Sequence, residues 1–137
     1  MSVDQATLAG FIGTEQYHRY SPLFRRMLLT DGALYVAQNG GRSGAFWLID
    51  AIASHQPRLL RHPDGRLQGI QFWTLRKRPD PEGGAVLECC ADSGEKPAVR
   101  QVIEYTDFFT NGDTEFRLWA APVDEQGNWV IMLPSEY

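Results

Sequence analysis

Several side chains in this sequence are of the types that do chemistry. In WLIDAIASHQ, residues 47–56, the carboxylate of Asp50 stands five residues before the imidazole of His55, the two groups that acid–base catalysis most often combines. Cys89 and Cys90 are adjacent thiols. EYTDFF, residues 104–109, sets Tyr105 two positions before Asp107, and Tyr35 adds a second phenol, so a donor and an acceptor are at hand for a small polar ligand. NGGRSGAF, residues 39–46, joins glycines to Arg42 and to Ser43, a hydroxyl placed to cap the next helix, whose free N–H groups could take an anion.

Spacing reduces most of these to structural roles. On a helical wheel Asp50 and His55 diverge by about 140°, so one regular helix cannot make them a close pair. Asp50 shares its face with Trp47 and Ser54, which suits a solvent-facing or helix-linking acid, and His55 at the helix end is favoured as a cation by the dipole. Adjacent cysteines in a strand point to opposite faces, one as a small buried hydrophobe and the other half exposed. His18, His55 and His62 have none of the spacings of a structural zinc site, and neither GxGxxG nor GxxxxGK[ST] occurs. No cofactor and no metal is therefore expected. Tyr35, Trp47, Asp50, His55, Tyr105 and Asp107 are the candidate binding residues.

The elements that must position them follow from composition and period. With 137 residues, 43% of them hydrophobic, the chain suits a single domain with one core. The first half reads as helical: a short segment at Asp4 to Ile12, another started by Ser21-Pro22 through Phe24, Met27 and Leu28, and one capped by Thr30 and stopped at Asn39-Gly40-Gly41. The longest helix spans Gly44 to Gln56 and ends at Pro57, with a short turn at Arg58 to Arg61. After the turn HPDG the period changes to two, predicting strands at Ile70 to Arg78, 85–92, Val99 to Tyr105, Glu115 to Ala121 and Trp129 to Leu133. Short turns favour antiparallel neighbours. The expected fold is α+β, with N-terminal helices packed on one face of a mainly antiparallel sheet of about five strands.

The formal charge is −4, and it is unevenly distributed: residues 1–68 carry net +2 and residues 69–137 net −6. No apolar run of membrane-spanning length and no signal-peptide pattern is seen, so a cytoplasmic protein with free thiols and no membrane partner is expected. The function read from these features is that of a protein-binding module or modulator, because no catalytic motif assembles while Trp, Tyr and Arg, the usual interface anchors, are abundant. Trp119 and Trp129, in late strands, could cover an edge or join a second subunit of a homo-oligomer. One alternative is a small enzyme in which Asp50, His55, Cys89, Cys90, Tyr105 and Asp107 converge in a cleft. Another, disfavoured by the acidic balance, is nucleic-acid binding. It would use Arg25, Arg26, Arg58, Arg61, Arg66 and Arg76-Lys77-Arg78, with Tyr17, Tyr20 or Trp73 stacking on bases.

The segments FIGTEQYHRY, LLTDGALYVAQNGG, AFWLIDAIASHQ, IQFWTLR, EYTDF and VIMLPSEY, in this order from Phe11 to Tyr137, resemble a small bacterial domain family of unknown function. Its members are encoded in chromosomes, plasmids and phage-like elements. The resemblance implies a single-domain cytoplasmic protein tied to bacterial mobile-element biology. It supplies no activity, cofactor or catalytic residue.

Overall fold

The structure, a computed structural model, describes residues 8, 10–11, 13–14, 16–19, 21, 23–79, 83–92, 94–109 and 112–137. Seven strands form one sheet: β1 (His18–Arg19), β2 (Met27–Leu29), β3 (Gln71–Lys77), β4 (Ala85–Cys90), β5 (Val99–Ile103), β6 (Glu115–Pro122) and β7 (Trp129–Met132). Their order across the sheet is β1-β2-β7-β6-β3-β4-β5. All neighbours are antiparallel except β2 and β7, which run parallel with Leu28 opposite Val130. Three helices lie between β2 and β3 in the chain: α1 (Asp31–Asn39), α2 (Phe46–Ser54) and the single turn α3 (Gln56–Leu59).

The five strands expected after residue 69 all form within two residues of their expected ends. Among the described residues the sheet nevertheless has seven strands and is mixed, so the five-stranded reading is corrected. The missing strands are short and come from the N-terminal half. Met27 and Leu28, taken as part of a helix, lie in β2, and Phe24 lies in the turn before it. Three residues hold too little periodicity to separate a strand from a helical turn, and β2 exists because β7 offers it a parallel edge. The helix expected at Asp4 to Ile12 falls largely outside the described residues.

Alternation builds the core. Trp73 and Leu75 on β3, Leu87 and Cys89 on β4, Leu118 and Ala120 on β6 and Ile131 on β7 point to the same side and are buried. Against them α1 sets Ala33, Val36 and Ala37, and α2 sets Leu48, Ile49, Ile52 and Ala53, the aliphatic arc of the helical wheel. Each of the larger side chains contributes roughly 1.5–3 kcal/mol by leaving water. The helix predicted from Gly44 to Gln56 is interrupted at His55, and Pro57 sits in the first turn of α3, where its missing N–H costs nothing. Ser43 does not cap α2: its N-cap is Ala45, with no side-chain bond.

Candidate functional site

The polar residues of WLIDAIASHQ separate, each to its own partner. Asp50 is exposed and has no hydrogen-bond or ion-pair partner among the described residues, and Ser54 turns back to donate to the Ala51 carbonyl at 2.7 Å. Trp47 is half-buried against the main core. His55 lies with its ring stacked on Trp73, centroids 5.9 Å apart. Its Nδ1 faces an Arg58 guanidinium nitrogen at 2.9 Å and its Nε2 lies 2.7 Å from Gln101 Oε1. A guanidinium can only donate, so Nδ1 accepts and Nε2–H donates to Gln101. The expectation of a cationic dipole cap gives way to a ring with both nitrogens engaged. Asp50 and His55 do not meet.

Beneath His55 is a buried amide pair. Gln71 Nε2 donates to Gln56 Oε1 at 2.9 Å and Gln56 Nε2 donates to Gln71 Oε1 at 2.8 Å. The remaining N–H groups reach the carbonyls of Ile52 and Leu67, while Gln71 Oε1 also accepts from Trp73 Nε1 at 3.0 Å. Every donor of the pair is satisfied, which is how buried amides become tolerable in a core. Its one trace in the sequence is that Gln71 shares the alternation of Trp73 and Leu75.

The two cysteines take opposite faces as expected, Cys89 buried and Cys90 half-buried. Burial, then the neighbouring Cys90, pushes the Cys89 thiol up to about 12, and burial raises Cys90 as well, helped by Glu88 and Glu95 against Arg76. Both shifts move away from the thiolate that a nucleophile needs. No hydrogen bond joins any two of Asp50, His55, Cys89, Cys90, Tyr105 and Asp107 among the described residues.

LLTDG and LPSEY, far apart in the chain, meet at the start of α1. Thr30 is the N-cap and accepts from the Ala33 N–H at 3.2 Å. The buried Glu136 carboxylate reaches the same turn, accepting from the Thr30 hydroxyl at 2.6 Å, the Gly32 N–H at 2.9 Å and the Leu133 N–H at 2.9 Å. A Cβ on Gly32 would come within 2.6 Å of Glu136 Oε1, so only glycine lets the carboxylate this close. Asp31 pairs with His18 at 2.8 Å, and its N–H donates to the Thr14 hydroxyl. Glu136 thus ties the C-terminal segment to the start of the helix, and Asp31 ties the segment around Thr14 and His18 to it. His62 accepts the Asp64 N–H, and among the described residues no group of three or more His, Cys, Asp or Glu could hold a metal ion.

At the other end of α1, Asp107 does gather a cleft, of about 420 Å³, lined by Arg42, Lys77, Gly83, Gly84, Tyr105, Thr106, Asp107 and Phe109. Tyr105 and Asp107 are thus together, as the sequence suggested, whereas Tyr35 packs on Phe11, ring centroids 5.4 Å apart. Arg42 and Lys77 are the members that sequence reasoning did not connect with them.

Most of the arginines proposed for a phosphate patch are bonded at home. Arg66 bridges Asp64 and Glu95, holding the Asp64 carboxyl down to about 2, and Arg26 donates to the Gln126 carbonyl. Trp73 is 1% exposed and so cannot stack on a base, while Tyr20 lies outside the described residues.

The second face of the sheet is covered by none of the described helices. Cys90, Phe72, Trp119 and Met132 stand opposite one another across four strands. Phe72 meets Trp119 edge-on at 5.2 Å, Trp119 meets Tyr137 at 5.3 Å, and Tyr137 is 74% exposed. Leu28, Ala121 and Val130 flank this strip. Beyond it Arg76 bonds Glu88 at 2.9 Å and Glu115 at 3.2 Å, and Arg117 bonds Glu115 at 2.7 Å.

No helix among the described residues is long and apolar enough to cross a membrane. No curated protein and no solved structure matches the chain. A family model does match, over residues 3–137, which is nearly the whole sequence and contains every segment on which the resemblance was read. The chain belongs to that family, described as a family of unknown function, DUF6876.

Proposed function

We propose that the protein is a non-catalytic binding module that works through protein–protein contact at the partly exposed aromatic strip on the second face of its sheet, and that the surface it meets there is the same strip of a second copy. The observation that carries this reading is the aromatic strip Phe72–Trp119–Tyr137, exposed at Tyr137 and bordered by Arg76, Glu88, Glu115 and Arg117. Aromatic centre and charged rim is the usual anatomy of a protein interface. The rim charges neutralise one another in place, so the covering surface needs no net charge. An identical strip related by a two-fold axis meets that requirement and places aromatic edges on aromatic faces.

Sedimentation equilibrium from micromolar to millimolar chain tests it. The expected result is a monomer–dimer equilibrium that Tyr137→Glu abolishes with the circular dichroism spectrum unchanged. A monomer throughout, or a dimer indifferent to Tyr137→Glu and to Trp119→Ala, would overturn the reading.

A further inference from the structure

The cleft beside Asp107 is built with more care than its exposure suggests. Four segments meet there: the loop after α1, the last residue of β3, the turn before β4 and the stretch after β5. Asp107 Oδ2 accepts the Arg42 backbone N–H at 2.9 Å, and a Cβ at Gly41, which holds φ +66°, would collide with Asp107 Oδ1. The Thr106 N–H donates to the Gly83 carbonyl at 2.6 Å, and Gly83, at φ +84°, has no side chain because the Tyr105 ring lies over it. Phe108 anchors the stretch on Phe116, centroids 4.9 Å apart, and the Phe108 N–H closes a turn on the Thr106 hydroxyl. The cleft walls are thereby fixed by backbone bonds, while Tyr105 stays 73% exposed.

What sets the charges of this cleft apart is that, among the described residues, two cations line one cavity with a single carboxylate, Asp107. The Asp107 carboxylate is turned to the Arg42 backbone, and neither the Arg42 guanidinium nor the Lys77 ammonium has an ion-pair partner among the described residues. In a chain of net −4, two such cations lining one cavity whose only carboxylate among the described residues, Asp107, is bonded to backbone form a local positive site. Lys77 follows the alternation of Trp73 and Leu75 and so sits on the helix side, apart from the aromatic strip. At about 420 Å³ the cleft falls within the size range of small-molecule sites, about 300–1,000 Å³.

We infer that this cleft binds a small organic anion, its phosphate or carboxylate held by Arg42 and Lys77 and its planar ring laid on Tyr105 and Phe109. A guanidinium and an ammonium are the usual pair for an oxyanion, one by its planar fork and the other as a point charge. The exposed Tyr105 ring, with half-buried Phe109 beside it, supplies the stacking surface for a ring.

Calorimetric titration of the full chain at low salt with four probes tests this. Adenosine 5′-monophosphate and benzoate carry both ring and anion, inorganic phosphate lacks the ring, and adenosine lacks the charge. Saturable binding of either ring-bearing anion, tighter than of phosphate or adenosine, is expected, and which of the two binds identifies the anion as phosphate or carboxylate. R42Q/K77Q should weaken that binding at least about tenfold, and added salt should weaken it in the same direction. Tyr105→Ala should weaken the ring-bearing probe several-fold and leave inorganic phosphate unaffected. All three side chains are exposed, so an unchanged melting temperature separates these effects from misfolding. Failure of every probe to saturate, adenosine binding as well as the anions, or binding indifferent to R42Q/K77Q would each overturn the inference.

Discussion

The two ends of α1 both gather charged residues and differ in how many of those charges are satisfied within the chain. At its N-terminus, the Asp31 and Glu136 carboxylates are bonded to His18, Thr30 and the backbone N–H groups of Gly32 and Leu133. At its C-terminus, Asp107 also binds backbone, but the cations beside it, Arg42 and Lys77, have no ion-pair partner among the described residues. Carboxylates thus serve the fold at both ends, and only at the second do two cations without such an ion pair line a cavity. What separates the roles is whether the charged atoms already have a partner within the chain, since a charge satisfied internally has little left to offer a ligand.

Removing the N-terminal clamp should give the largest effect. Glu136→Ala strands the Gly32 and Leu133 N–H groups and leaves the Thr30 hydroxyl only the longer bond to the Ile131 carbonyl, and should cost about 2–3 kcal/mol, a fall in melting temperature of roughly 10 °C. Gly32→Ala should destabilise by a similar amount through its collision with Glu136 and Leu133. By contrast, Arg42→Gln and Lys77→Gln should each change stability by no more than about 0.5 kcal/mol. Comparable losses at the two ends, read by thermal melts, would erase the distinction drawn between them.

Gly41→Ala should fall between these. It strains a backbone at φ +66° and drives a methyl into Asp107, so about 1–2 kcal/mol is expected together with loss of the anion site. Loss of stability with binding retained would show that Asp107 does not shape the cleft.

A separate, pH-dependent effect concerns the core that both ends share. The native Cys89 thiol is raised from 9.0 to about 12, so between these values the unfolded chain has lost a proton that the folded chain keeps. Stability must therefore fall as pH rises through that window. Denaturant titrations from pH 8 to pH 11 should show a downward slope that is shallower in Cys89→Ala. An identical slope in the variant would assign the loss to other groups.

Much of the architecture was readable from local pattern. The Thr30 cap, the aliphatic arc of α2 and the alternation of β3 through β7 depend on residues within a few positions of one another, and each of these was found. The two short strands were not readable, because β2 owes its state to β7, about a hundred residues away. Of the candidate site residues, Tyr105 and Asp107 line one cleft, since they are neighbours in the chain as well as in space. Tyr35, Trp47, Asp50 and His55 are positioned for other contacts.

The sequence by itself determined which segments form helix and strand wherever side-chain period and caps are local, and it ruled out Asp50 and His55 as a pair, because a helix spaces its side chains by fixed rotation. Only the tertiary structure decided that Glu136 caps α1, that Gln56 and Gln71 satisfy each other, and that Arg42 and Lys77 share a cavity with Tyr105. Hydrogen-bond partners and unopposed charges are properties of proximity in space, and proximity between distant segments arises only when the sheet closes and brings its loops together.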